Sequence, residues 1–225
     1  MRRIPFILSI LLLTAGCAGR QPKTVPPVTE SPDTLAFTPE FSIAGIPPAV
    51  AERMRGKSVP EGADVPWDEL RYLRLSYVDF DGVERTGEMV CHQSIAEDLT
   101  DIFRALFEAR YPIRSIRLVD DFGGSDDASM AADNTSCFNY RTVPGMRKLS
   151  RHAQGRAVDV NPLENPFVRR SGAVMPPEGA AFADRSAAFE HKIDRNDLCC
   201  KLFREHGFIW GGAWRSSKDY QHFEK

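Results

Sequence analysis

Ser150-Arg151-His152-Ala153-Gln154-Gly155-Arg156-Ala157-Val158-Asp159-Val160-Asn161-Pro162 is the stretch around which the chain is organised. It sets a histidine and a carboxylate seven residues apart, with a glycine between them. Gly155 permits a turn, because glycine takes positive φ without steric cost. Ala157 to Val160 then alternates as a short strand, with Val158 and Val160 on one side and Ala157 and Asp159 on the other. A carboxylate inside so apolar a strand needs a partner, and a metal ion is one. Asn161-Pro162 ends the strand. The same residues also suit an ordinary turn with a salt-bridged aspartate and a surface histidine.

The end of the chain, Asp219-Tyr220-Gln221-His222-Phe223-Glu224, adds a second imidazole and further carboxylates. With His152 and Asp159 it completes the inventory of a catalytic zinc, which takes three protein ligands and keeps a position for water. Asp219 and His222 are three residues apart. They share a face only in a tight turn or helix, not in an extended strand. The useful geometry is therefore a turn at Ser217 to Tyr220 leading into a last short strand. His222 then binds metal, and Asp219 stands beside the attacking water as general base.

Ser150-x-His152-x-x-Gly155-x-Ala157-x-Asp159, followed by Trp214 and Asp219-x-x-His222-Phe223-Glu224, resembles the zinc D-alanyl-D-alanine peptidases of the VanY-like type. That family includes the L-alanyl-D-glutamate endopeptidases, and its fold is shared with the Hedgehog signalling domain. The resemblance extends to Tyr111-Pro112-Ile113-Arg114 and the run from Asp120 to Arg141, roughly the second half of the chain. It implies zinc ligands His152, Asp159 and His222, Asp219 as general acid/base, and Arg141 on the substrate carbonyl or its oxyanion. Some branches carry glutamate where this chain has Asp219. The endopeptidase-like branch uses aspartate, which favours an endopeptidase of peptidoglycan stem peptides over a D-alanyl-D-alanine carboxypeptidase. A carboxypeptidase would need a cation for the terminal carboxylate, from Arg114, Arg141 or Arg156. A third reading is a zinc-stabilised wall-binding lipoprotein without catalysis, against which the presence of both Asp219 and Arg141 argues.

The rest of the chain surrounds this site. Its 225 residues, 42% hydrophobic and 27% charged, are ordinary for one globular domain with extensions. A net charge of −2 gives no electrostatic case for nucleic acid. Residues 1–17 read as a lipoprotein signal: Arg2 and Arg3, an apolar run from Ile4 to Leu13 too short to span a bilayer, and Leu13-Thr14-Ala15-Gly16-Cys17, with Cys17 lipidated. A plain secretory signal cut nearby is the alternative. Ala18 after the cysteine resembles an outer-membrane address, which places the domain on the periplasmic face of the envelope. Residues 18–66, rich in proline, read as an extended tether with a short helix over Pro48 to Gly56.

The peptidase domain is expected over residues 67–225. Leu70 to Phe80 reads as a strand, Asp81-Gly82 as a hairpin turn and Arg85 to Cys91 as the return strand. Ser94-Ile95-Ala96-Glu97 reads as the capping box of a helix whose core face is Ile95, Leu99, Ile102, Phe103, Leu106 and Phe107. Ile113 to Val119 reads as a strand. Asp120 to Ser136 reads as a long polar loop walling a cleft, and Arg141 emerges from it with a fork of donors suited to a carboxylate or oxyanion. Leu163 to Arg185 reads as a second loop and Asp194 to Glu205 as a helix stopped by Gly207. Phe208 to Trp210 reads as a buried strand. Ser150, Asp126, Ser136, Arg114 and Trp214 are assigned to the substrate. Cys91, Cys137, Cys199 and Cys200 allow three pairings in an oxidising compartment, and a bond from Cys199 or Cys200 to Cys91 or Cys137 is plausible. The fold expected is α+β: a small antiparallel sheet carrying the zinc site, with helices on its other face.

Overall fold

The computed structural model describes residues 37–143 and 146–225. The signal segment, Cys17 and the first part of the tether lie outside the described residues. Among the described residues no helix is long and apolar enough to cross a membrane.

The longest pairing is a hairpin of β2 (Leu70–Val78) and β3 (Glu84–His92), in register from Leu70 opposite His92 to Val78 opposite Glu84. The expected turn at Asp81-Gly82 is present. Gly82 takes φ 78°, and the Asp79 carboxylate accepts from the Asp81 and Val83 amides at 3.0 and 2.8 Å. Helix α2 (Gln93–Glu108) follows without a linker. Its cap is therefore His92 rather than Ser94: β3 runs straight into the helix, and the His92 ring accepts from the Ser94 amide at 3.1 Å. Ile95, Leu99, Ile102, Phe103 and Leu106 are buried as expected. Phe107 is only half-buried, under Phe37 and Phe41.

The expected tether ends earlier than residue 66. Strand β1 (Phe41–Ala44) adds antiparallel to β2, which makes the sheet β1-β2-β3. Helix α1 (Pro48–Met54) buries Val50 and Met54, and these join Val59, Val65, Leu70, Val90, Leu118 and Phe138 in a core of their own. Proline does not oppose this helix, since Pro48 stands at its start, where an amide would have no partner. Arg53 fixes α1 to the sheet through a two-pronged pair with Glu88, each contact 3.0 Å.

Residues 113–119 do not form the expected strand. They touch the hairpin through the Ile113 amide, which donates to the Val78 carbonyl at 2.9 Å, and the Ile116 carbonyl, which accepts from the Glu88 amide at 3.1 Å, while Ile116 bridges Thr135 on its other side. Ile116 lies directly over Gly87, where a Cβ would come within 2.5 Å of it. The buried apolar residues Ile113, Ile116, Leu118 and Val119 do not alternate, so the segment lacks the two-residue period of a strand. The expected polar loop after it contains a helix, α3 (Asp126–Ala131), whose cap Ser125 accepts from the Ala128 amide.

Two small antiparallel sheets complete the domain. One joins β4 (Ala157–Asp159), β9 (His222–Glu224) and β7 (Ile209–Trp210) in the order β4-β9-β7. The other joins β5 (Phe167–Val168), β6 (Val174–Met175) and β8 (Lys218–Asp219) in the order β6-β5-β8. Helix α4 (Leu198–Glu205) begins later than expected, because Asp197 caps it through the Cys199 and Cys200 amides. Helices α2 and α4 cover the back of β4 and β9, where Phe203 stacks on Phe223 with ring centroids 4.2 Å apart and Val158 and Val160 are fully buried. The architecture is α+β. Cys91, Cys137, Cys199 and Cys200 are all free and buried, so the structure contains none of the disulfides considered plausible.

Candidate metal centre

His152 opens a 3-10 turn (His152–Gln154). The Ser150 hydroxyl accepts from the His152 and Ala153 amides at 3.1 and 3.3 Å and so sets the turn. Gly155 closes it at φ 64°, with a Cβ position only 2.6 Å from the His92 amide nitrogen. Glycine is thus required there twice, by conformation and by close approach. His152 Nδ1 donates to the Cys137 carbonyl at 2.7 Å, which turns Nε2 inward.

Asp159 and His222 are direct partners across the β4–β9 ladder. Their side chains meet His152 on the face opposite Val158 and Phe223. His152 Nε2 lies 3.2 Å from His222 Nδ1 and 3.2 Å from Asp159 Oδ2, and His222 Nδ1 lies 2.9 Å from Asp159 Oδ1. All three residues are buried. A tetrahedral ion with ligands at 2.0–2.1 Å has ligand-to-ligand edges of about 3.3 Å. The chemistry of the donor set, two imidazoles and a carboxylate, and its spacing both fit such an ion.

The electrostatics point the same way. Burial would raise the Asp159 carboxyl, but the charges and hydrogen bonds of His152 and His222 hold it far below the usual range. Burial would lower the His222 imidazole, but Asp159 and Glu224 push it up to about 10. Asp159, Asp219 and Glu224 all lie around the two imidazoles, an arrangement that a cation between them would stabilise.

Asp219 ends β8, paired with Phe167, and the chain bends at Tyr220 and Gln221 before β9, one element later than the turn expected over Ser217 to Tyr220. The Asp219 carboxyl is buried and pushed up to about 7, first by burial and then by Asp159, against the opposing charges of His222 and Arg141. Asp219 Oδ1, Gln221 Oε1 and Arg141 Nε are buried without a protein partner among the described residues. All three residues line a cavity of about 380 Å³ whose wall also includes the His152, Asp159 and His222 side chains.

The other residues assigned to substrate divide. Ser150, Asp126 and Trp214 line the cavity. Trp214 packs on His222 at 5.3 Å between ring centroids. Asp126 is engaged with Arg141 at 2.9 Å, so it serves the guanidinium before any substrate. Ser136 and Arg114 do not line the cavity. Ser136 pairs through its backbone with Asp159, which orders the ligand strand. The Arg114 guanidinium lies over Phe80, 5.5 Å from its centroid, because its segment is bent toward the hairpin. Arg156 is likewise off the cavity.

Several contributing residues have no distinctive pattern in the sequence. A Cβ at Gly211 would meet the Asp219 carbonyl at 2.6 Å and Asp219 Cβ at 2.8 Å, so Gly211 lets Asp219 close on His222. Lys218 holds the carbonyls of Gly212 and Trp214 and anchors the tryptophan loop. Met130, Phe167 and Met175 give the cavity an apolar side.

Residues 144–225 match a family model described as D-alanyl-D-alanine carboxypeptidase. The matched residues contain His152, Asp159, Asp219 and His222, whereas Asp126 and Arg141 lie upstream of them. No curated protein and no solved structure matches the chain.

Proposed function

We propose that the protein is a zinc peptidase that hydrolyses peptidoglycan stem peptides, with the metal held by His152, Asp159 and His222. The observation that carries this is the convergence of three donor atoms at 2.9–3.2 Å beside a buried carboxylate, Asp219, with an unpartnered oxygen. A zinc ion held there supplies Lewis acidity toward the scissile carbonyl and toward water. Asp219 accepts the proton of the attacking water and returns it to the leaving amine. Arg141, its guanidinium steadied by Asp126, donates toward the developing oxyanion, a contribution worth about 3 kcal/mol per donor in such sites. Trp214, Phe167 and Met175 supply apolar surface to the cavity wall.

Within this activity we favour an endopeptidase of the L-alanyl-D-glutamate type. Of the three arginines the sequence offers for a terminal carboxylate, Arg114 and Arg156 are off the cavity and Arg141 is shared with Asp126, although Lys148 and Arg151 also line it. The second reading is a D-alanyl-D-alanine carboxypeptidase, which the description of the matching family favours. We place the protein in the cell envelope, anchored through a lipid on Cys17.

Digestion of defined muropeptides by the zinc-loaded full chain, read by mass spectrometry, tests the reading. Chelated protein and His152→Ala run beside it. Zinc-dependent release of L-alanine-ended fragments is expected. Loss of a terminal D-alanine alone would assign the carboxypeptidase, and no zinc-dependent product from any stem peptide would overturn the function.

A further inference from the structure

We propose that Glu224 is a positioning residue for His222: its carboxylate accepts the Nε2 proton of the imidazole and so commits the other ring nitrogen, Nδ1, to the metal. The inference rests on the reading of His152, Asp159 and His222 as zinc ligands.

A neutral imidazole carries one N–H and one lone pair, and a metal takes the lone pair. His222 Nδ1 is the nitrogen that faces Asp159 Oδ1, at 2.9 Å, and His152 Nε2, at 3.2 Å. The proton therefore belongs on Nε2, and the acceptor within reach of Nε2 is Glu224 Oε2 at 3.4 Å. His152 is held in the opposite sense, with its Nδ1 proton on the Cys137 carbonyl and Nε2 turned to the cluster. The two imidazoles thus present different nitrogens, each fixed by its own acceptor.

The strand explains why Glu224 is the acceptor. Residues two apart in a strand share a face, so His222 and Glu224 both point to the cavity while Phe223 points to the core. Phe223 is fully buried and stacked on Phe203, which pins the register of β9. Glu224 also pairs across the sheet with Ala157 on one side and Ile209 on the other. Its backbone is therefore fixed, and its carboxylate is partly shielded, with the side chain 27% exposed. A carboxylate behind a ligating histidine fixes the ring and raises its basicity, and loss of such a partner typically weakens metal binding about 10- to 100-fold.

The test is zinc affinity of the full chain, measured by competition with a chromogenic chelator. Glu224→Ala is expected to bind zinc about 10- to 100-fold more weakly than wild type. Glu224→Gln keeps an acceptor but no charge, and should fall between the two. Wild-type affinity in Glu224→Ala, or Glu224→Gln no better than Glu224→Ala, would overturn the proposal. A long-range proton–nitrogen correlation spectrum of zinc-loaded wild type checks the tautomer on which it rests. The His222 proton is expected on Nε2, and a proton on Nδ1 would overturn it. Wild type that takes up no zinc would overturn the metal site as well, whereas a zinc-binding wild type with an indifferent Glu224 overturns this inference alone.

Discussion

The sheet β1-β2-β3 and the sheet β4-β9-β7 are both three-stranded and antiparallel, yet they are held together differently. In the first, β2 and β3 pair over nine residues each, and α2 lays a continuous apolar stripe on them. In the second, no strand exceeds three residues. Its supports are buried side chains: Asn165 bridges the Asn161 and His191 carbonyls and the Ile193 amide, and Asn161 accepts from the Arg114 amide. The short strands have a purpose. Asp219 and His222 both face the cavity because the chain breaks between β8 and β9, whereas an unbroken strand would send residues three apart to opposite faces. Regular structure gives the scaffold its stability, and interrupted structure gives the site its convergence.

Four substitutions would break or sharpen that contrast. Asp219→Ala should lower kcat by about 10²–10⁴ while zinc binding is retained. Its melting temperature should not fall, since it removes a buried carboxylate with an unpartnered oxygen. Equal losses of activity and zinc would contradict its role as base. On the scaffold side, Phe203→Ala should cost about 3–5 kcal/mol in denaturant unfolding, because Phe203 is fully buried and packs on Phe103, Phe208 and Phe223. Asn165→Ala should cost about 1–3 kcal/mol by stranding buried amide and carbonyl partners. Activity should drop with it, since the loops it joins flank the ligand strand; full activity in a destabilised variant would separate the two.

The smallest effect is one of pH. Glu164 is pushed up to about 8 from an ordinary 4.5, first by burial and then by the charge of the neighbouring Asp133 carboxyl. Asp133 is raised too, chiefly by burial, and Arg114 and His191 are the other charged groups facing the pair. A carboxyl raised in the fold contributes stability that is intact below its ordinary value and lost as pH rises through its folded value. The melting temperature should therefore decline between about pH 5 and pH 8. Glu164→Gln should flatten that decline, matching wild type near pH 4.5 and exceeding it near pH 9. An unchanged slope would show that Glu164 is not held protonated in the fold.

Much of the scaffold could be read in the sequence because its signals are long. The partial alternation over Leu70 to Val78, the Asp81-Gly82 turn and the stripe from Ile95 to Leu106 reinforce one another along the chain. Residues 113–119 misled because β-branched composition is shared by strands and by bent buried segments. Residues 41–66 misled because a few apolar side chains, Val50, Met54, Val59 and Val65, suffice to dock a proline-rich segment once a sheet edge and a second core await it.

The sequence singled out His152, Asp159 and His222, through two short stretches and their resemblance to a peptidase family, and the fold brings these three side chains together. The sequence also determined Gly155, whose positive φ few other residues adopt. Only the tertiary structure decided that Arg141 enters the cavity while Arg114 does not, that Asp126 is bound to Arg141, that Gly211 makes room for Asp219, and that Glu224 stands behind His222. These are contacts between segments distant in the chain, or between faces of a strand. They depend on where the backbone turns, which residue type by itself does not encode.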